Sequence, residues 1–160
     1  MATYSFLDVN AVITGPSGNF TLGSGSGNAE EGISIEPSDD IGSMTIGADG
    51  TVMHSLHANR SGTITVRLLK TSPRNFALQA MYDYQTTTAA AYGQNTFVLT
   101  IPAAAEVITI TEVAFKRAPN LTYAKEGGTN EWVFNGGKIS RILGSFDNGG
   151  ISALIGSVII

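Results

Sequence analysis

His54 and His57 are the side chains best suited to hold a metal or move a proton near neutral pH. Their spacing would place them on one face of a helix but on opposite faces of a strand. Asp49-Gly50 reads as a hairpin turn just before them, because both residue types tolerate positive φ. Beyond it Val52, His54 and Leu56 alternate with Met53, Ser55 and His57, which selects a strand. A two-histidine metal site is therefore not expected. Asp39 and Asp40 are adjacent and diverge on an extended chain, so with Pro37 and Ser38 they form a solvated turn. The run Gly18–Asn28, GNFTLGSGSGN, invites a phosphate cradle. No Gly-Lys-Ser/Thr closes it, and Glu30 and Glu31 would repel an anion, so it reads as a mobile linker or contact loop. With no cysteine there is neither a thiol nucleophile nor a thiolate ligand. Neither histidine has a serine and carboxylate set out around it. No catalytic, cofactor-binding or metal-ligating residue is expected, which points to a structural or binding role and not to an enzyme.

The totals agree. A chain of 160 residues suits a single domain with a real core. A net charge of −4 does not favour general binding to a phosphate backbone. The start, MATYSFLDVN, lacks the basic and apolar regions of a secretory signal, and without one the sequons at Asn19, Asn59 and Asn120 read as chance. The last stretch, ISALIGSVII, is apolar but shorter than the roughly 20 residues that cross a bilayer, so no membrane is expected as a partner.

Short apolar runs between Thr-, Ser- and Gly-rich turns predict a mostly-β fold. The segment Ser61–Tyr84, SGTITVRLLKTSPRNFALQAMYDY, organises it. Ile64, Val66 and Leu68 alternate with Thr63, Thr65 and Arg67, as in a strand with one buried face. Ser72 then suits an N-cap and Pro73 a first helical position, predicting a helix over about 73–84. Its inward stripe is expected to be Phe76, Ala77, Ala80, Met81 and Tyr84. Elsewhere, strands are expected over Tyr4–Thr14, Gly32–Glu36, Thr96–Ile101 and Val107–Lys116. The last has apolar residues on both faces, as if both were covered. Met44–Leu69 reads as a three-strand meander whose first hairpin, Met44–Ala58, projects from the body, and Asn130–Leu143 reads as a hairpin folded at Asn135-Gly136-Gly137. Trp132 is expected in the core.

The run Gly50–Tyr84, GTVMHSLHANRSGTITVRLLKTSPRNFALQAMYDY, resembles the tail tube proteins of contractile-tailed bacteriophages. The resemblance lies in a long hairpin arm, a strand of the SGTITVRLLKTSP kind, a short helix opening at Ser72-Pro73-Arg74-Asn75, and the order of elements around them. It implies two packed antiparallel sheets forming a β-sandwich or barrel with one helix at the side. It implies homohexameric rings stacked into the inner tube of the virion tail, assembled in the host cytoplasm. Sheath, baseplate and tail terminator are the implied partners, with tape-measure protein and DNA in the lumen and no specific DNA binding. Tubes of bacteriocins and of type VI secretion are similar in plan.

Stacked rings need projecting hairpins or termini and paired strand edges. The expected subunit interface is therefore Met44, Ile46, Val52, Met53 and Leu56 of the arm, with Ile151, Leu154, Ile155, Val158 and Ile159 of the apolar tail 151–160. Carboxylates are expected to outnumber cations on the lumen wall, since phosphate is repelled by a negative surface. The alternative is a β-sandwich binding module, for example for carbohydrate, stacking its ligand on Trp132, Tyr82 or Tyr123.

Overall fold

The computed structural model describes residues 3–145, with backbone alone over 29–31. It is mostly β, with one helix, α1 (Arg74–Gln85). One layer takes β2 (Gly18–Thr21), β1 (Asn10–Gly15), β7 (Asn95–Ile101), the first part of β8 (Glu106–Arg117), and β10 (Lys138–Ile142). The other takes the end of β8, then β9 (Thr129–Gly136), β6 (Gly62–Leu69) and β3 (Asn28–Pro37). Every pairing is antiparallel. β6 alternates as expected, with Ile64, Val66 and Leu68 wholly buried. The layers close on Phe97, Ile110, Phe115, Trp132 and Phe134; the Phe115 ring centroid lies 4.8 Å from that of Phe134 and 6.0 Å from that of Trp132.

β8 runs through both layers. Glu112 adopts φ 55°, and the register with β7 slips between the Phe97–Ile110 and Asn95–Val113 pairs. This bulge reverses which side chains face inward: Ile110 is buried before it, Val113 and Phe115 after it. The apolar residues that the sequence places on two faces thus turn towards one core.

The same corner replaces the expected hairpin at Asn135-Gly136-Gly137. Asn135 pairs with Ala114 and Lys138 with Thr111, so β9 and β10 continue along the same neighbour in one direction. The two glycines serve here as residues without side chains, at a close approach of two bent strands. A Cβ on Gly136 would lie 2.4 Å from Ile110 Cγ2.

The helix forms where expected, and Met81 of the expected stripe is buried, but the face around it is turned. Leu78, Met81 and Gln85 are buried, whereas Phe76 is 84% and Tyr84 55% exposed. Polar anchors set this rotation. Ser72 Oγ accepts from the Arg74 N–H at 3.2 Å and donates to the Ser26 carbonyl. Asn75 Nδ2 donates to the Leu69 carbonyl at 2.9 Å, and Asn75 Oδ1 accepts from Trp132 Nε1 at 3.0 Å. With Asn75 turned in, Leu78 and Tyr82 follow it on the same stripe.

Three further expectations change. The first strand begins only at Asn10, because Phe6–Asp8 form a 3-10 turn that leaves Leu7 outward. The glycine-rich run is largely structured: β2 lies within it, and Leu22 is fully buried, its N–H bonded to the Ala11 carbonyl at 2.7 Å. The three-strand meander is absent. β4 (Gly42–Ile46) and β5 (Val52–Leu56) pair only with each other, while both edges of β6 are taken by β3 and β9.

Candidate assembly surface

The β4–β5 arm is a two-stranded sheet of its own. Its tip is a tight turn in which Thr51 N–H donates to Asp49 Oδ1 at 3.0 Å and Gly50 adopts φ 89°. Hydrogen bonds from the Thr51 side chain and backbone hold the Asp49 carboxyl below its ordinary value of 3.8. Cross-strand partners share a face. The register pairs Met44 with His54, Ile46 with Val52 and Gly42 with Leu56, which puts Met44, Ile46, Val52, His54 and Leu56 together. Ser43, Thr45, Met53 and Ser55 lie on the opposite face.

Four of the five predicted arm residues therefore converge, and Met53 stands apart from them. All five are between 49% and 80% exposed. A free hairpin is marginal in water, and an apolar face with polar residues behind it marks a contact surface. The tail residues Ile151, Leu154, Ile155, Val158 and Ile159 lie outside the described residues.

The residues with chemical potential do not gather. His54 stands on the arm's apolar face, while His57 follows β5 with its N–H bonded to the Ile41 carbonyl at 2.8 Å. Asp39 Oδ2 accepts from Asn59 Nδ2 at 2.6 Å. Among the described residues no cluster of His, Cys, Asp or Glu is set out to hold a metal, and no helix is long and apolar enough to cross a membrane. The aromatic platform of a binding module is not assembled. Trp132 is buried, Tyr82 packs edge-on against Phe115 at 5.5 Å, and exposed Tyr123 lies under Lys70 Nζ at 3.7 Å.

Surfaces not anticipated from sequence also appear. Phe76 and Tyr84 expose an aromatic stripe on α1, a consequence of the polar anchors that turn Asn75 inward. Among the described residues β2 and β3 end the strand order, leaving backbone edges that a further chain can pair.

The model of one protein family, described as the bacteriophage PhiTE tail tube protein, matches residues 1–144. No curated protein matches the sequence. Solved structures share the fold. A chain of the PVC sheath-tube complex of an extracellular contractile injection system, in the extended state, aligns with a TM-score of 0.52 at 8% identity, over 82% of this chain and 87% of that one. The anti-feeding prophage tube terminating cap gives 0.53 at 11% identity, over 89% and 93%. The PVC sheath/tube terminator in the extended state gives 0.50 at 13% identity, over 89% and 99%.

Proposed function

This chain belongs to the bacteriophage PhiTE tail tube protein family, and we propose that six copies of it close into a ring, and the rings stack into the inner tube of a contractile tail that conducts DNA. The family match over residues 1–144 carries this reading. The projecting arm supports it, since a stack of identical rings needs an extension that reaches the next copy. In this reading residues 1–160 form a single tube domain. Met44, Ile46, Val52 and Leu56 meet a neighbouring subunit, with Met53 at the rim, and Ile151, Leu154, Ile155, Val158 and Ile159 of the tail complete the contact. The free edges of β2 and β3 pair between neighbours within a ring.

Sheath surrounds the tube, and baseplate and terminator proteins close its ends. Tape-measure protein and DNA occupy the lumen without specific recognition, which the net charge of −4 supports, and in this reading carboxylates outnumber cations on the lumen wall. The subunit is a structural component of the virion tail, assembled in the host cytoplasm away from the membrane, and it uses no cofactor and catalyses no reaction.

Negative-stain microscopy of the purified chain tests the proposal. Rings or tubes are the expected outcome, lost when Met44–Ala58 is replaced by a short linker while the circular dichroism of the body is retained. A protein that stays monomeric at high concentration overturns it.

A further inference from the structure

The arm joins the body through two short roots, residues 38–41 and 57–61; the Ser38 hydroxyl reaches the Ser61 carbonyl at 3.2 Å and the Ser61 hydroxyl at 2.8 Å, and the Asn59 side chain bonds to both roots. Asn59 Nδ2 donates to Asp39 Oδ2 at 2.6 Å and to Ser38 Oγ at 3.4 Å, both on the outgoing root. Asn59 Oδ1 accepts from the Ser61 N–H at 3.0 Å and from the Ser61 hydroxyl at 2.6 Å, both on the returning root. The carboxamide is used at both ends, which only Asn or Gln can do without a change of charge. Around it the Ser38 N–H reaches the Ser61 carbonyl at 3.1 Å. The returning root is fastened to the body where the Ile139 N–H meets the Arg60 carbonyl at 2.8 Å.

The β4–β5 ladder ends at Gly42 and Leu56, with one more bond from the His57 N–H to the Ile41 carbonyl at 2.8 Å, so the arm's direction is set by the contacts between the roots beyond it. We infer that Asn59 is the positioning residue that fixes the angle between arm and body and so aims the apolar face at its neighbour. The inference rests on the assembly reading above.

Its chemistry allows a swap test. Asn59→Asp keeps the shape but sets a carboxylate against that of Asp39, across a contact that is 2.6 Å long in the native chain. Asp39→Asn added to it restores one donor and one acceptor with the polarity reversed, and the carboxylate at 59 still accepts from Ser61. The full-length chain is compared as Asn59→Asp and as the double variant, for the concentration at which tubes form and for deuterium uptake at the His57 and Ser61 amides below that concentration. Asn59→Asp is expected to raise the assembly threshold about tenfold and to speed exchange at both amides, with the melting of the body unchanged. The double variant is expected to return both readouts to near native.

Native assembly and exchange in Asn59→Asp, or a double variant that recovers neither, would overturn the inference. The linker replacement of the arm separates the two proposals. If tubes grow without the arm, the arm's part in assembly falls and this inference with it, while the tube reading stands. If the arm is needed and Asn59→Asp assembles normally, only this one falls.

Discussion

Glu112 and Gly137 face each other across the corner where β8 and the β9–β10 chain bend together. A Cβ on Gly137 would lie 2.8 Å from Glu112 Cβ and 3.2 Å from the Thr111 carbonyl oxygen. That carbonyl already accepts from the Gly137 N–H at 3.0 Å, so the backbones are locked at this spacing. Gly137→Ala must push bonded strands apart and is expected to cost about 1–3 kcal/mol of folding stability, read from denaturant melts. Glu112, at φ 55°, is held in a region that β-branched residues resist. Glu112→Val is expected to cost a further 1–2 kcal/mol or so, and Glu112→Gly to stay within about 1 kcal/mol of native. Equal costs for the valine and glycine variants would show that the bend does not depend on this conformation.

A second constraint lies where α1 meets β7. Gln85 Nε2 donates to Asn95 Oδ1 at 2.7 Å, and Asn95 Nδ2 donates to Gln85 Oε1 at 2.6 Å, in a reciprocal pair buried on both sides. Asn95→Ala leaves Gln85 Oε1 without its donor and Nε2 with only the Ser17 hydroxyl at 3.3 Å, and is expected to cost about 1–3 kcal/mol. Replacing both residues with alanine should cost clearly less than the two single losses added together, because no orphaned amide remains. Strict additivity in chemical denaturation would refute a coupled pair.

The elements that were legible in sequence are those whose instructions are local. The alternation of Ile64, Val66 and Leu68 and the Asp49-Gly50 turn need no distant partner, and both appear as read. Ser72-Pro73 likewise announces a helix start, although Pro73 and not Ser72 stands at the cap, one residue later than expected. The face of that helix was not legible, because Asn75 points inward by virtue of Trp132, 57 residues away, and Gln85 by virtue of Asn95 on the next strand. A count of apolar residues gives weight to Phe76 and Tyr84 instead. Gly136-Gly137 misleads for a related reason. Glycine marks a turn by its freedom and a close approach by its missing side chain, and only the partner strand decides between them. Although the expected contact set joined Met53 to Met44, Ile46, Val52 and Leu56, whose face it does not share, the pairing of the arm was readable from alternation and the Asp49-Gly50 turn. The clamp at its root was not, since it joins residues 20 apart in sequence.

The two faces of the arm should respond differently to substitution. Ile46 lies among Met44, Val52 and Leu56, whereas Met53 sits with Ser43, Thr45 and Ser55. Both are exposed in the single chain, so Ile46→Asp and Met53→Asp should each change its stability by no more than about 0.5 kcal/mol. In assembly, a charge in the apolar face has to be buried unpaired, so Ile46→Asp is expected to abolish tubes. Met53→Asp should leave shorter or fewer tubes. Equal loss from both, seen by negative stain, would mean that the arm is clasped on both faces and not docked by one.

Acid should loosen the arm at its tip. The Thr51 side chain and backbone amide favour the charged Asp49 carboxylate, so the folded pKa lies below the ordinary 3.8. A depressed carboxylate pKa contributes stability that is fully present above the unfolded value and is lost as pH falls through the folded one. The turn is thus expected to hold from neutral pH down to about 3.8 and to open below it, once the proton displaces the Thr51 bonds. The Thr51 amide resonance, followed by NMR through an acid titration, should move with a midpoint below 3.8, and the amide should lose its protection relative to the intrinsic exchange rate beyond it. Asp49→Ala should show the unprotected amide at every pH. A midpoint at or above the ordinary carboxylate value would mean that Thr51 does not hold the charge, and the tip would owe its shape to Gly50 alone.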